Sequence, residues 1–437
     1  MNTEPIAAPA TPLLPSAVAI LRVSGPDLAS RLSPLLHLPA PQRAALRRLR
    51  WSGPQGAFNE QALVLFFPAP HSYTGEDVVE LQIHGNPLLA RRLLDHLGAL
   101  GIRLAEPGEF TRRALLNGKQ GLLEAEALRD LVDASTDQQL RQAQARQGGI
   151  PEWLSRARNR LAPWIARAEA AVDYGEEEGL TLDLAALKNE AQELGSMFHV
   201  EQVRSAAARW LRDGIRVVLV GRPNAGKSTL FNALAEEDRA IVTSQPGTTR
   251  DVLEVRTEWR GLPLLLFDTA GIRATDGEVE ILGIARIQGL LERADLVLHL
   301  IPATDAGPDP EVLAMLGGLG AKTLEVRTLA DLAPGAGLRV SAATGDLSDL
   351  EQALIQRFLG NQAPEALLGA LATARQLRIL DALLEQVDLV LQLREGAPPE
   401  MAASLLQGAW SLLLRLTGED RAETSLDELF SGFCLGK

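Results

Sequence analysis

Gly221-Arg222-Pro223-Asn224-Ala225-Gly226-Lys227-Ser228 follows an apolar run, 215–220, that reads as a buried strand. A glycine-rich turn between a strand and a helix lets backbone N–H groups approach phosphate oxygens at the helix N-terminus, and glycine permits that close approach. In this reading Lys227 neutralises the β- and γ-phosphates of a nucleotide. The Ser228 hydroxyl completes the shell of a Mg²⁺ ion that keeps several of its waters. The full pattern in strand-to-helix context points to an α/β NTP-binding unit rather than a bare turn.

Outward from this loop, Gly247-Thr248-Thr249-Arg250-Asp251 supplies a segment whose Thr249 ligates Mg²⁺ only while a γ-phosphate holds it, which makes a switch. Asp268-Thr269-Ala270-Gly271 ends a second apolar run, 262–267. Asp268 then reaches the metal through water, and Gly271 offers its N–H to the γ-phosphate. This order resembles the translation-factor-like GTPases. Many Ras-type proteins place a water-orienting Gln after that glycine, but here the position is Ile272, so the water is oriented from elsewhere.

Three more stretches extend the pattern: Tyr73-Thr-Gly-Glu-Asp-Val-Val-Glu80, then Pro107-Gly-Glu-Phe-Thr-Arg-Arg-Ala-Leu-Leu-Asn117-Gly-Lys119, and the terminal Phe433-Cys434-Leu435-Gly436-Lys437. Together they resemble the MnmE (TrmE) family of tRNA-modification GTPases, over about Val18 to Lys437. The resemblance implies GTP hydrolysis coupled to addition of an aminomethyl-type group, carboxymethylaminomethyl, at C5 of the wobble uridine of certain tRNAs. It also implies a homodimer, and a heterotetramer with the FAD-dependent flavoprotein MnmG (GidA). A folate supplies the one-carbon unit, 5,10-methylenetetrahydrofolate, with 5-formyl-tetrahydrofolate as an analogue.

Residue by residue, the family's folate site matches Arg22, Glu80, Lys119 and Lys437. Cations suit a carboxylate-bearing ligand, and a Glu can pair with the N–H groups of a pteridine. The family's dependence on potassium, in place of an arginine finger, matches Asn224 with Thr243, Gln245 and Thr248. The resemblance further implies nucleotide contacts at Ala225, Gly226, Thr229, Ser244, Pro246, Gly247, Thr269, Ala270, Asp331, Ser341, Ala342 and Ala343. Glu280 matches the catalytic Glu that orients water. Cys434 lies in the terminal motif, near the expected one-carbon chemistry, with no partner His in sequence reach that would make it a nucleophile.

The chain departs from the family at the guanine-reading motif, where Asn-Lys-x-Asp is Thr328-Leu329-Ala330-Asp331 and Ser-Ala-Lys is Ser341-Ala342-Ala343. Loss of one or two polar contacts costs about 1–3 kcal/mol, so weaker GTP binding or relaxed base choice is expected. The glycine-rich turn before the first strand is replaced by Pro12-Leu-Leu-Pro15-Ser-Ala17, and the Asp after Lys119 by Gly121. A scaffold with a decayed nucleotide site and a generic or ribosome-assembly GTPase are the alternative functional classes.

The length of 437 residues predicts a multidomain chain, and a formal charge of −13 excludes a general nucleic-acid coat. Any tRNA contact is then local or shared with a partner, with Arg43 to Arg50, Arg91-Arg92 and Arg112-Arg113 as basic candidates. Cys434 is the sole cysteine, which rules out an intramolecular disulfide and fits a reducing compartment. No apolar run approaches membrane-spanning length, so a soluble cytoplasmic protein is expected.

Periodicity predicts an α+β N-terminal domain over 1–116. Helical segments at 117–211 and 362–437 form one discontinuous helical domain, with an inserted α/β P-loop GTPase domain at 212–361. Within the helical part, helices are expected at 122–147 and 154–171, and the acidic run 173–178 interrupts them.

Overall fold

The computed structural model describes residues 4–53, 56–178, 180–236, 253–268 and 288–419. The chain forms two compact units, one running up to Glu126 and resuming at Thr417, the other Ala127–Leu416.

The first unit is built on a six-stranded sheet of order β3-β4-β5-β2-β1-β6. The strands are β1 (Ile6–Pro9), β2 (Ser16–Gly25), β3 (Ala45–Gly53), β4 (Gly56–Phe67), β5 (Asp77–Gly85) and β6 (Arg103–Leu104). Period-two alternation turns Leu21, Val23, Leu49, Trp51, Val64, Leu81 and Ile83 into one core. The helix Pro87–Ala99 covers it with Ala90, Leu93 and Leu97. Asn86 caps that helix by accepting from the Leu88 and Leu89 N–H groups, and Pro87 at the first turn needs no partner for the N–H it lacks.

The expected first strand is the second. β1 precedes it and pairs antiparallel with β2 from Ile6↔Ser24 to Pro9↔Leu21. A four-residue Ile-Ala-Ala-Pro stretch carries no readable alternation, and the pairing makes it a strand. Of the stretch Pro12–Ala17, residues up to Pro15 lie in the turn that joins two paired strands, and Ser16 and Ala17 already belong to β2.

The second unit contains a five-stranded sheet of order β11-β10-β7-β9-β8. It comprises β7 (Ile215–Val220), β8 (Leu253–Trp259), β9 (Leu262–Asp268), β10 (Leu296–Pro302) and β11 (Thr323–Thr328). β7, β9, β10 and β11 are parallel, and β8 is an antiparallel edge. Such strands are covered on both faces, which is why β7 and β10 are near-continuous apolar runs. Leu219, Leu298 and Leu300 enter one core, Val218, Val220 and Val297 the other.

Long helices flank this sheet in sequence: Asp137–Arg146, Glu152–Glu178 and Leu184–Asp213 before it, Ala374–Gln392 and Pro399–Thr417 after it. The expected helix 122–147 is two helices, because Thr136 accepts from the Gln139 N–H and starts a new one. The acidic run does not interrupt the next, which continues to Glu178. Glutamate is a good helix former, and charge alone does not end a helix.

The chain enters and leaves the α/β fold through one core. Ala208 and Leu211 on the entering helix pack in the same cluster as Leu359, Leu367 and Ala370 on the exit. Buried Asp130 holds Arg146 at 2.7 Å and Arg212 at 2.8 Å, and Gln142 donates to the Leu367 carbonyl at 3.1 Å.

Candidate functional site

The phosphate loop stands at the C-terminal end of β7, between β10 and β9 on its two sides, where an open parallel sheet forms its ligand crevice. Gly221 lies against β10 so closely that a Cβ would come 2.6 Å from the Leu300 carbonyl oxygen. Asn224 takes a left-handed φ of 62° and Gly226 one of 81°, the conformations that fold the loop back onto the helix Lys227–Glu236. The Lys227 ammonium donates to the carbonyls of Gly221 at 2.7 Å and Arg222 at 2.8 Å, so it lies across the loop's mouth. Ser228 and Thr229 are exposed in the first helical turn. Asn224 and Ser228 offer amide and hydroxyl oxygens, donors that suit hard cations.

A second feature at this site is not legible from motif matching. The Thr328 hydroxyl, buried at the end of β11, donates to the Ala225 carbonyl at 2.8 Å and ties β11 to the phosphate loop. The Thr that stands here in place of Asn thus makes a buried bond to the loop.

Leu329 follows with φ 56°, turning the chain so that Asp331 is exposed. The Ser341 hydroxyl donates to the Asp331 carboxylate at 2.7 Å. Arg339 fastens the same turn by donating to the Ala330 and Ala333 carbonyls. Ala342 and Ala343 follow in the turn between Ser341 and its bridge partner Asp346.

Asp268 ends β9 opposite Leu219 and Leu253, with its backbone alone described. Thr243, Ser244, Gln245, Pro246, Gly247, Thr248, Thr249, Thr269, Ala270, Gly271, Glu280, Cys434 and Lys437 lie outside the described residues.

In the first unit, Arg22 and Glu80 are directly opposed across β2 and β5. The guanidinium donates from Nε and Nη2 to Glu80 Oε1, each at 3.0 Å. Arg22 also lies 5.7 Å from the Tyr73 ring centroid and 5.9 Å from that of Phe110, within cation–π range. Lys119 is exposed and donates to the Pro70 carbonyl at 3.0 Å, and its stem passes Gly75. The segment 69–76 thus meets both groups, with Tyr73 beside Arg22 and Pro70 beside Lys119.

That segment is held from below. Ser24 bonds Thr74 and Glu76 at 2.7 Å, Asn117 donates to the Thr74 carbonyl at 2.7 Å, and Tyr73 bonds Thr111 at 2.8 Å. Glu76 pairs with buried Arg113, which also pairs with Glu109. Burial alone would raise the Glu109 carboxyl, but bonds from Arg103, the Glu106 N–H and Arg113 hold it at about 2. Arg113 is consequently committed to ion pairs and is no basic patch for nucleic acid. Tyr73, Phe110, Ser24 and Glu76 are the residues that motif matching passed over. Their positions inside or beside the quoted stretches were the available signal.

The family model described as the GTP-binding protein TrmE N-terminus matches residues 5–119, and the MnmE helical domain model matches 122–434. The "tRNA modification GTPase MnmE" of Methylobacterium radiotolerans is 42% identical over 100% of both chains. That of Symbiobacterium thermophilum is 40% identical, also over 100% of both. Among solved structures, the G domain of the FeoB iron transporter of T. maritima is 26% identical over 32% of this chain and 97% of that one, with a TM-score of 0.26.

Proposed function

The chain belongs to the MnmE family of tRNA modification GTPases, and from that membership we propose that it hydrolyses GTP in the service of tRNA modification. The observation that carries the reading is the phosphate loop, folded at the end of β7 with Lys227 across its mouth and Thr328 fixing its base. In the reaction Lys227 exchanges the loop carbonyls for β- and γ-phosphate oxygens. Ser228 and Thr249 would hold Mg²⁺, and Asn224, Thr243, Gln245 and Thr248 would hold K⁺, the two cations supplying positive charge for the phosphates. Glu280 orients the attacking water, since Ile272 cannot. Asp331, oriented by Ser341, accepts from the guanine edge.

The modification itself is addition of a carboxymethylaminomethyl-type group at C5 of the wobble uridine, carried out with the flavoprotein MnmG and a folate one-carbon unit. Arg22, Glu80, Lys119 and Lys437 form the folate site, with Cys434 beside the one-carbon chemistry. The Arg22–Glu80 pair and the half-buried ring of Tyr73 support this placement, because a pteridine needs a paired acceptor and flat apolar cover. The protein works as a cytoplasmic homodimer. Its domains are 1–116, 117–211 joined to 362–437, and the GTPase insert 212–361. Among the described residues no helix is long and apolar enough to cross a membrane.

The test is GTP hydrolysis in potassium against sodium buffer, with ATP alongside and with Glu280→Ala. Potassium-stimulated, guanine-selective turnover that is lost in Glu280→Ala while nucleotide binding survives is the expected result. Equal turnover in the variant removes Glu280 from catalysis, and no turnover in either salt removes the GTPase reading.

A further inference from the structure

We propose that the free edge of the N-terminal sheet, the strand β3 with its neighbour β4, is a docking surface for the phosphate backbone of RNA. It rests on the tRNA reading above. The first observation is local charge. In a chain of net charge −13, residues 31–75 hold Arg31, Arg43, Arg47, Arg48 and Arg50 against a single acid, Glu60. Glu60 is buried and engaged with His84, at 2.7 Å from its ring nitrogen, so it does not offset the arginines at the surface.

The second observation is placement. β3 is the outermost strand and pairs only with β4 among the described residues. Strand alternation buries Leu49 and Trp51 on the core side and leaves Arg48 and Arg50 exposed on the other. Their cross-strand partners are Gln61 and Asn59, both exposed, so two cations and two amides stand side by side in register. Arg43 is also exposed, just ahead of the strand. Arg43, Arg48 and Arg50 make no ion pair among the described residues. Arg47 differs, since its guanidinium is spent on the His37 and Leu46 carbonyls.

Two of the other basic candidates are already engaged with acids. Arg113 is buried in ion pairs with Glu76 and Glu109, and Arg92 faces Asp95 at 3.6 Å. An edge strand is protected from pairing by charges of either sign, so edge protection does not explain why the acids are missing here. A polyanion does: guanidinium groups on a short pitch bind phosphates bidentately, and neighbouring amides bond sugar and phosphate oxygens without reading sequence.

The experiment compares full-length protein with Arg48→Gln/Arg50→Gln for binding of unmodified tRNA across a salt series, with GTP hydrolysis and sedimentation measured on the same samples. Both side chains are exposed, so the variant folds, and neither belongs to the nucleotide site. The expected result is roughly 10-fold weaker tRNA binding and a salt slope shallower by about 2, with hydrolysis unchanged. Equal affinity and slope overturn the surface while leaving the tRNA reading intact. Unchanged RNA affinity with a shift toward monomer assigns the edge to a subunit contact and also overturns it. Failure of the wild-type protein to bind tRNA overturns both.

Discussion

Thr328→Val removes one hydroxyl at constant volume and isolates the brace between β11 and the phosphate loop. The hydroxyl donates to the Ala225 carbonyl at 2.8 Å, and both residues are buried, so water does not replace the lost partner. Removing the donor leaves the buried Ala225 carbonyl unsatisfied, which costs about 1–3 kcal/mol. In the free variant the loop relaxes away from β11, and nucleotide binding has to bring it back. That cost is therefore the ceiling on the loss of affinity, which gives roughly a 5- to 160-fold rise in Kd for GDP or a non-hydrolysable GTP analogue. Thr328→Ser keeps the hydroxyl and is expected to bind within about 2-fold of the parent. Isothermal calorimetry measures both. A Val variant with unchanged Kd and unchanged thermal midpoint would show that the bond does not hold the loop, and the assignment of Thr328 as a positioning residue would fall.

Two further outcomes are expected. Lys437→Ala should weaken binding of 5-formyl-tetrahydrofolate about 10-fold through loss of one charge-assisted contact, and calorimetry with unchanged affinity would exclude Lys437 from the site. Glu109, held at about 2 against an ordinary 4.5, contributes stability that is fully present above 4.5 and is lost as pH falls toward 2. Glu109→Gln should lower stability at neutral pH and flatten the decline in that window. Parallel acid-unfolding curves by circular dichroism would contradict the assignment.

The parallel strands β7 and β9 and the phosphate loop could be read directly, because strands covered on both faces must be continuous apolar runs and a phosphate cradle tolerates few residues besides glycine. Glu80 and Lys119 could be proposed as ligand groups from the stretches that carry the resemblance, and Arg22 from its place in the expected first strand. What those stretches lacked was any statement of distance. That Arg22 and Glu80 are cross-strand partners depends on the register of β2 against β5, which is set by packing of the whole sheet.

The sequence by itself determined the class of fold, the loop that takes phosphate and the departures from the guanine-reading motif, since each is a local pattern of size, charge and backbone freedom. The tertiary structure decided how those pieces act on one another. It placed Thr328 under the phosphate loop, buried Arg113 between Glu76 and Glu109, and left Arg48 and Arg50 uncovered at a sheet edge. A threonine or an arginine has the same letter whether its polar atoms meet a carbonyl, a carboxylate or water, and only the fold chooses among them.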